Sequence, residues 1–256
     1  MVGCDKVTLL SQYIGDCHPL AQVNGLVGSN LIAFICRRNS ATFNATSSLY
    51  IMEQMYKVFI KANLLYISNT PLKNQKGYKK VTNIEFVDDS VFDSLIPVLE
   101  AEYNEPVCYC LFGADPVFIW RRYRKQYKLV VAGGGLVRNE KNKILFIYRN
   151  GRWDLPKGKA EYAELIEDTS LREVKEECGL TNLILVDHLI DTYHTYDLKG
   201  SRKLKKTYWY LMYSDDQTLI PQTEEGITKI KWVKEDKLEK IIPIHIPVLW
   251  MYWRSH

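Results

Sequence analysis

The sequence predicts an α+β fold for this chain of 256 residues, and three features carry the prediction. Residues 55–126 combine short strand patterns with one helical segment; the second half opens on a strand, a glycine turn and another strand; and a helix precedes further strands toward the end. A hydrophobic fraction of 46% suffices for a buried core. No apolar run reaches the roughly 18–20 residues needed to cross a bilayer, so no membrane partner is expected. The 34 basic against 30 acidic residues leave a net charge of +4, too mild to mark a DNA-binding or membrane-binding protein. Six scattered cysteines form neither a C-x-x-C zinc pattern nor a disulfide framework, and the N-terminus lacks the ordered parts of a secretory signal. A cytoplasmic location is the simplest expectation.

Residues 1–54 show neither a helical period nor strand alternation and read as a disordered or spurious N-terminal extension, with a regulatory or targeting arm as the functional alternative. Met55 is a natural start. Residues 55–126 are expected to form a small α+β domain. Its elements are a strand pair at 56–61 and 64–68 turning near Asn63, a helix over Ser90–Glu102, and strands at Val107–Phe112 and Val117–Tyr123. The run Arg121–Lys128 interleaves basic and aromatic residues, which could hold phosphates or single-stranded nucleic acid and reads more simply as a solvated linker.

Residues 127–256 form the second expected domain. Leu129–Ala132 leads into Gly133-Gly134-Gly135, then a strand over Ile144–Tyr148. The triple glycine is followed by an apolar strand rather than a helix, so it is no dinucleotide fingerprint; a bulge or close strand packing explains it. Further strands are expected at Leu183–Asp191, Lys206–Tyr213 and Lys229–Val233, with a helix near Lys234–Ile241.

Between Gly158 and Leu180 the chain reads GKAEYAELIEDTSLREVKEECGL. At about 100° per residue, Glu173, Glu176 and Glu177 share one helix face while Leu171, Val174 and Cys178 share the other. Carboxylates about 5 Å apart repel by about 3 kcal/mol at an effective dielectric near 20, which calls for a cation. Mg²⁺ suits them: it takes oxygen ligands and leaves positions for water and phosphate oxygens. A solvated acidic helix face would need no metal.

The remaining spacings decide between the two. Gly158, five residues, Glu164, seven residues, Arg172, Glu173, an aliphatic, any residue, Glu176, Glu177, any residue, Gly179 and an aliphatic fill every defined position of the Nudix box. With seven fixed types at about 6% each, a chance match at one start is on the order of 10⁻⁸ to 10⁻⁹. Residues 128–240 thus resemble the Nudix hydrolase family. The resemblance implies the Nudix fold, an α–β–α sandwich with a mixed sheet flanked by helices, here preceded by the small α+β unit. It implies a hydrolase of diphosphate linkages, a pyrophosphatase, with Mg²⁺ as cofactor and Mn²⁺ able to substitute. By analogy Glu173, Glu176 and Glu177 are metal ligands, with the backbone near Lys157-Gly158 closing the metal site. Glu176, Glu177, Glu225 and Arg172 are the implied catalytic group, Arg172 by orienting the acidic helix. Glu225 and its neighbour Glu224 precede the last main strand, where the family often places an additional glutamate; both could equally be surface turn residues. His194 is a weaker base candidate. One departure is Leu165, where many members carry a capping Ser or Thr.

Trp153-Asp-Leu-Pro-Lys-Gly-Lys resembles the corresponding loop of members acting on dinucleoside polyphosphates or diphosphoinositol polyphosphates, which makes Lys157 and Lys159 substrate-binding candidates. Tyr196 lies 17 residues beyond Gly179, a spacing found in diadenosine polyphosphate hydrolases. The basic run Arg202–Lys206 could also meet a long polyphosphate. The expected substrate is a phosphorylated small molecule, a nucleoside or dinucleoside polyphosphate, with nucleic acid not expected as partner and a homodimer left open. The alternatives are a non-catalytic nucleotide-sensing module and a hydrolase of ADP-ribose or RNA 5′ ends.

Overall fold

The structure is a computed structural model that describes residues 55–240. The expectation for residues 1–54 lies outside the described residues, as does the last residue of the helix expected to end at Ile241. Strands β1 (Tyr56–Ile60) and β2 (Asn63–Ser68) form the first hairpin. Its turn falls on Lys61 and Ala62, with Lys61 in the left-handed region at φ 53. Asn63 therefore belongs to β2, where it is buried; its amide donates to the Leu99 and Ala101 carbonyls and its oxygen accepts from the Val107 N–H, at 2.9, 3.1 and 3.0 Å. There follow β3 (Val81–Glu85), helix α1 (Ser90–Glu100), β4 (Cys108–Phe112) and helix α2 (Pro116–Arg124).

Helix α2 replaces the strand expected at Val117–Tyr123. The apolar run hides a helical spacing: Pro116, Ile119, Trp120 and Tyr123 are the buried residues, at i, i+3, i+4 and i+7. Asp115 caps the helix by accepting from the Phe118 N–H at 2.9 Å, and Pro116 occupies a first-turn position where no N–H is needed. Arg121, Arg122 and Arg124 then fall in the last turn, where the helix dipole favours cations. The basic run is thus the helix end, a short turn and the first residue of the next strand, and Arg122 pairs with Asp89.

The second half contributes β5 (Lys128–Arg138), β6 (Ile144–Arg149), β7 (Arg152–Asp154), β8 (Lys157–Lys159), helix α3 (Ile166–Cys178), β9 (Ile184–Leu198), β10 (Ser201–Tyr213) and β11 (Ile227–Val233). A 3-10 turn at Thr223–Glu225 precedes β11, and a second at Glu235–Lys240 stands where a helix was expected. Among the described residues all eleven strands join one mixed sheet, in the order β11-β6-β5-β10-β9-β1-β2-β4-β3, with β7 on β6 and β8 on β5. The small α+β unit shares this sheet: β1 runs parallel to β9, pairing Val58 with Tyr193, Phe59 with His194 and Ile60 with Thr195. Helices α1 and α2 bury Phe92, Leu95, Ile96, Ile119 and Tyr123 against Val58, Ile60 and Leu65. Helix α3 packs Val174 and Cys178 against Val137, Leu145, Ile147 and Met212. Leu136, Phe146, Leu155 and Trp209 cluster separately with Leu238 of the second 3-10 turn. Among the described residues no helix is long and apolar enough to cross a membrane.

The triple glycine lets α3 and the neighbouring strands approach β5. A Cβ at Gly133 would stand 2.2 Å from Ser170 Oγ and 2.9 Å from its backbone nitrogen; one at Gly134 would meet Lys157 Cβ at 2.6 Å, and one at Gly135 Met212 Sδ at 2.6 Å. Close packing, not a bulge, is the outcome: the β5 register against β10 runs unbroken through all three. Gly133→Ala is expected to lower stability by about 1–3 kcal/mol, since backbone as well as side chain must move. Chemical denaturation of the full chain checks this, and an unchanged midpoint would contradict it.

Candidate active site

Helix α3 starts after Leu165, which offers no side-chain cap. Glu164 substitutes by tying the approach to the first turn: its carboxylate accepts from the Glu161 N–H at 3.0 Å and from Thr169 Oγ1 at 2.7 Å. The Arg172 guanidinium grips the same carboxylate with Nε and Nη2 at 2.7 and 2.9 Å. That charge-assisted fork, with the backbone and hydroxyl donors, holds the Glu164 carboxyl down at about 2. Arg172 also donates to Glu173 Oε1 at 2.9 Å, Glu176 Oε2 at 3.1 Å and the Lys159 carbonyl at 3.2 Å. One guanidinium thus holds three of the four box carboxylates and joins α3 to β8. At the other end Gly179 closes the helix at φ 68.

The acidic face is less open than its sequence suggests. Glu176 is half exposed, but Glu173 and Glu177 are buried, at 7% and 0% relative exposure. Glu173 lies under Gly158, where a Cβ would come within 1.7 Å of its Oε2, so only glycine fits. Burial raises the Glu173 pKa, Arg172 opposes the rise, and the like charges of Glu176 and Glu225 add to it. Glu177 accepts from the Lys157 N–H at 2.8 Å and from Arg149 Nη1 at 3.0 Å. Burial still dominates and pushes its carboxyl up to about 7. Arg149 Nη1 also reaches Glu225 at 3.1 Å, which brings the 3-10 turn before β11 to the cluster. Glu224, its neighbour, is exposed and makes no ion pair to a described residue.

The structure therefore gathers Glu173, Glu176, Glu177 and Glu225 around two arginines. Arg149 was not singled out from the sequence, although a charged residue closing the apolar strand β6 is a legible signal. The donor set suits a divalent cation: carboxylate oxygens, with Gly158 and its backbone packed against Glu173, are hard ligands, and the mutual repulsion felt at Glu173 is what a cation would relieve. Among the described residues no three acidic, His or Cys side chains already converge as a ligand set; Arg172 and Arg149 stand between them.

The substrate candidates divide. Lys157 Nζ is engaged by Asp154 Oδ2 at 2.5 Å and the Leu155 carbonyl at 3.4 Å, while its charge and its backbone N–H both favour the ionised form of Glu177. Lys159 is exposed and makes no ion pair to a described residue. Tyr196, 40% exposed, pairs across β9 and β10 with Lys203. His194 stacks on Phe59, with ring centroids 5.1 Å apart. Lys205, reached from the sequence only as one member of a basic run, is half-buried, and burial together with Lys157 and Arg149 pulls its pKa down to about 8.

A family model described as the NUDIX domain matches residues 128–249. Solved structures similar to this chain include a MutT protein from Methanosarcina mazei Go1, at 21% identity over 50% of this chain and 94% of that one, with a TM-score of 0.40. An Ap4A hydrolase binary complex from C. elegans matches at 21% identity over 49% of this chain and 96% of that one, with a TM-score of 0.39. A NUDIX hydrolase from Nitrosomonas europaea matches at 20% identity over 50% and 90%, with a TM-score of 0.40.

The buried Glu177 carboxyl gives a pH test. Because its folded pKa is raised from 4.5 to about 7, it stabilises the metal-free fold fully below about pH 4.5, and that contribution is lost as the pH rises through about 7. A bound divalent cation favours the ionised form, so the thermal shift on adding Mg²⁺ is expected to be larger at pH 8 than at pH 5.5. An equal shift at both pH values would contradict the placement of Glu177 at the cation site.

Proposed function

Residues 128–249 are a Nudix domain of the pyrophosphohydrolase family, and from that premise we propose that the chain hydrolyses a diphosphate linkage in a nucleoside or dinucleoside polyphosphate. The observation that carries the reading is the assembled carboxylate cluster, with Glu173 packed on Gly158 and Glu177 and Glu225 sharing Arg149. Nudix enzymes use divalent metal ions. Here Glu173, Glu176 and Glu177, with the backbone at Gly158, would hold Mg²⁺, or Mn²⁺ in its place. Such a cation supplies charge neutralisation for the phosphates and lowers the pKa of water.

The chain's own residues do the rest. Arg172 keeps Glu173 and Glu176 in position through its fork on Glu164. Glu225, exposed on its turn and oriented by Arg149, accepts the proton of the attacking water as the P–O bond to the leaving phosphate breaks. Lys159 and Lys205 offer cations to the phosphates, and Tyr196 lies beyond them on the same face of the sheet. The alternation is continuous: Lys159 pairs with Ala132, Ala132 with Thr207, and Lys205 and Lys203 follow at intervals of two, opposite His194 and Tyr196. A small phosphorylated substrate in the cytoplasm is the proposed setting.

Glu176→Gln tests the chemistry. It is expected to lower kcat by about 10²-fold or more while the melting temperature stays within a few degrees, because the side chain is half exposed and Gln keeps a bond to Arg172. Loss of folding with full specific activity in the folded fraction would overturn the assignment. Chain-length preference tests the substrate class. The kcat/KM for diadenosine tetraphosphate and ATP should exceed that for ADP-ribose, with the margin narrowing in high salt and in Lys159→Ala. A wild-type enzyme that prefers ADP-ribose would remove the polyphosphate reading and leave the Nudix chemistry standing.

A further inference from the structure

A cavity of about 550 Å³ opens where the α+β unit meets the Nudix strands. Phe59, Tyr103 and His194 line it together with Arg152 and the Lys61–Glu102 ion pair. Its volume is that of a small-molecule site, and its lining of flat rings with one planar cation is the chemistry that takes a nucleobase.

Two register relations connect this cavity to the carboxylate cluster. Across the β6–β7 hairpin Arg152 stands directly opposite Arg149, the residue that holds both Glu177 and Glu225. Across the main sheet Phe59 pairs with His194 and His194 with Lys205, so the three side chains form one transverse row over β1, β9 and β10. At a strand spacing of about 4.8 Å, Lys205 stands about 10 Å from Phe59. The charged groups acting on Lys205 are Lys157, Arg149, Asp154 and Glu177, and its ammonium makes no ion pair with a described residue. Rings at one end and an unpaired cation beside the carboxylates at the other are the two halves of a groove for a base joined to a phosphate chain.

The cavity wall is built to keep its shape. Asn63 clamps the end of α1 and the following segment through three hydrogen bonds to Leu99, Ala101 and Val107, which anchors the Tyr103 loop on both sides. Arg152 is exposed and makes no ion pair to a described residue. Tyr103 keeps 46% of its surface exposed, large for a ring that had only to fill the core.

We propose that Phe59, Tyr103, His194 and Arg152 bind the nucleobase of the substrate, so that the 55–126 unit supplies the base-binding end of the active-site groove. This rests on the nucleoside polyphosphate reading above. The test uses the full chain and the variants Tyr103→Ala and Arg152→Ala, both at exposed positions, with melting curves to verify folding. Calorimetry with an ATP analogue whose α,β and β,γ bridges are both methylene reads the pocket without turnover, and each variant should bind it about tenfold more weakly. In hydrolysis, the ratio of kcat/KM for ATP to that for inorganic tripolyphosphate should fall by about the same factor in each variant. Equal wild-type affinity for the nucleotide analogue and tripolyphosphate, or ratios unchanged by both substitutions, would overturn the proposal. The two readings fail separately. A chain that hydrolyses both compounds without regard to the base keeps the Nudix chemistry and loses the pocket. A chain that binds the analogue through Tyr103 and Arg152 yet hydrolyses nothing keeps the pocket and loses the chemistry.

Discussion

The contact between Gly158 and the Glu173 carboxylate sets the spacing on which the site depends. A carboxylate buried under a strand has lost most of its water, a loss that must be offset by charge and hydrogen bonds held in fixed places. Arg172 meets that need for Glu173, and the Lys157 N–H with Arg149 meets it for Glu177. These donors help only if β8 stays close to α3. The triple glycine on β5 makes the closeness possible: Gly133 admits the α3 backbone at Ser170 while Gly134 admits Lys157 of β8. Scaffold and chemistry are therefore the same set of distances.

Two arginines have different tasks in this arrangement. Arg172 is committed, forked on Glu164 and extended to Glu173, Glu176 and the Lys159 carbonyl. Its removal would free the helix from β8 and leave Glu173 buried without a partner, the costly kind of vacancy. Arg149 is a bridge between elements far apart in sequence, β6, α3 and the turn before β11.

How much was legible follows from how local each signal is. The α3 carboxylates, the Gly158 and Gly179 positions and the Glu164–Arg172 pair were readable because they lie within 23 residues at fixed spacing. Helix α2 was misread because Val117-Phe-Ile-Trp gives a strand-like apolar run, although the Asp115-Pro116 start carried the correct signal. The burial of Glu173 and Glu177 was not readable: helical phase says which side a carboxylate faces, not that a three-residue strand covers it. Arg149, Asp154 and Lys205 share that difficulty, since their importance comes from pairings between distant strands. So does the joining of the α+β unit to the Nudix sheet, which rests on three residue pairs between β1 and β9.

Among the described residues the sheet ends on β11 at one rim and on β3 at the other. On β11, Lys229 and Lys231 turn back across β6, their ammonium groups over the rings of Tyr148 and Trp153. On β3, Asn83 satisfies both the N–H and the carbonyl of Leu72 through its side-chain amide, at 2.8 and 2.9 Å. That pair of bonds holds the Leu72 segment against the face of the sheet, beside Phe59, Leu64, Tyr66 and Cys110. The hold on that segment thus rests on one side chain, and a change at Asn83 would release the Leu72 backbone from β3.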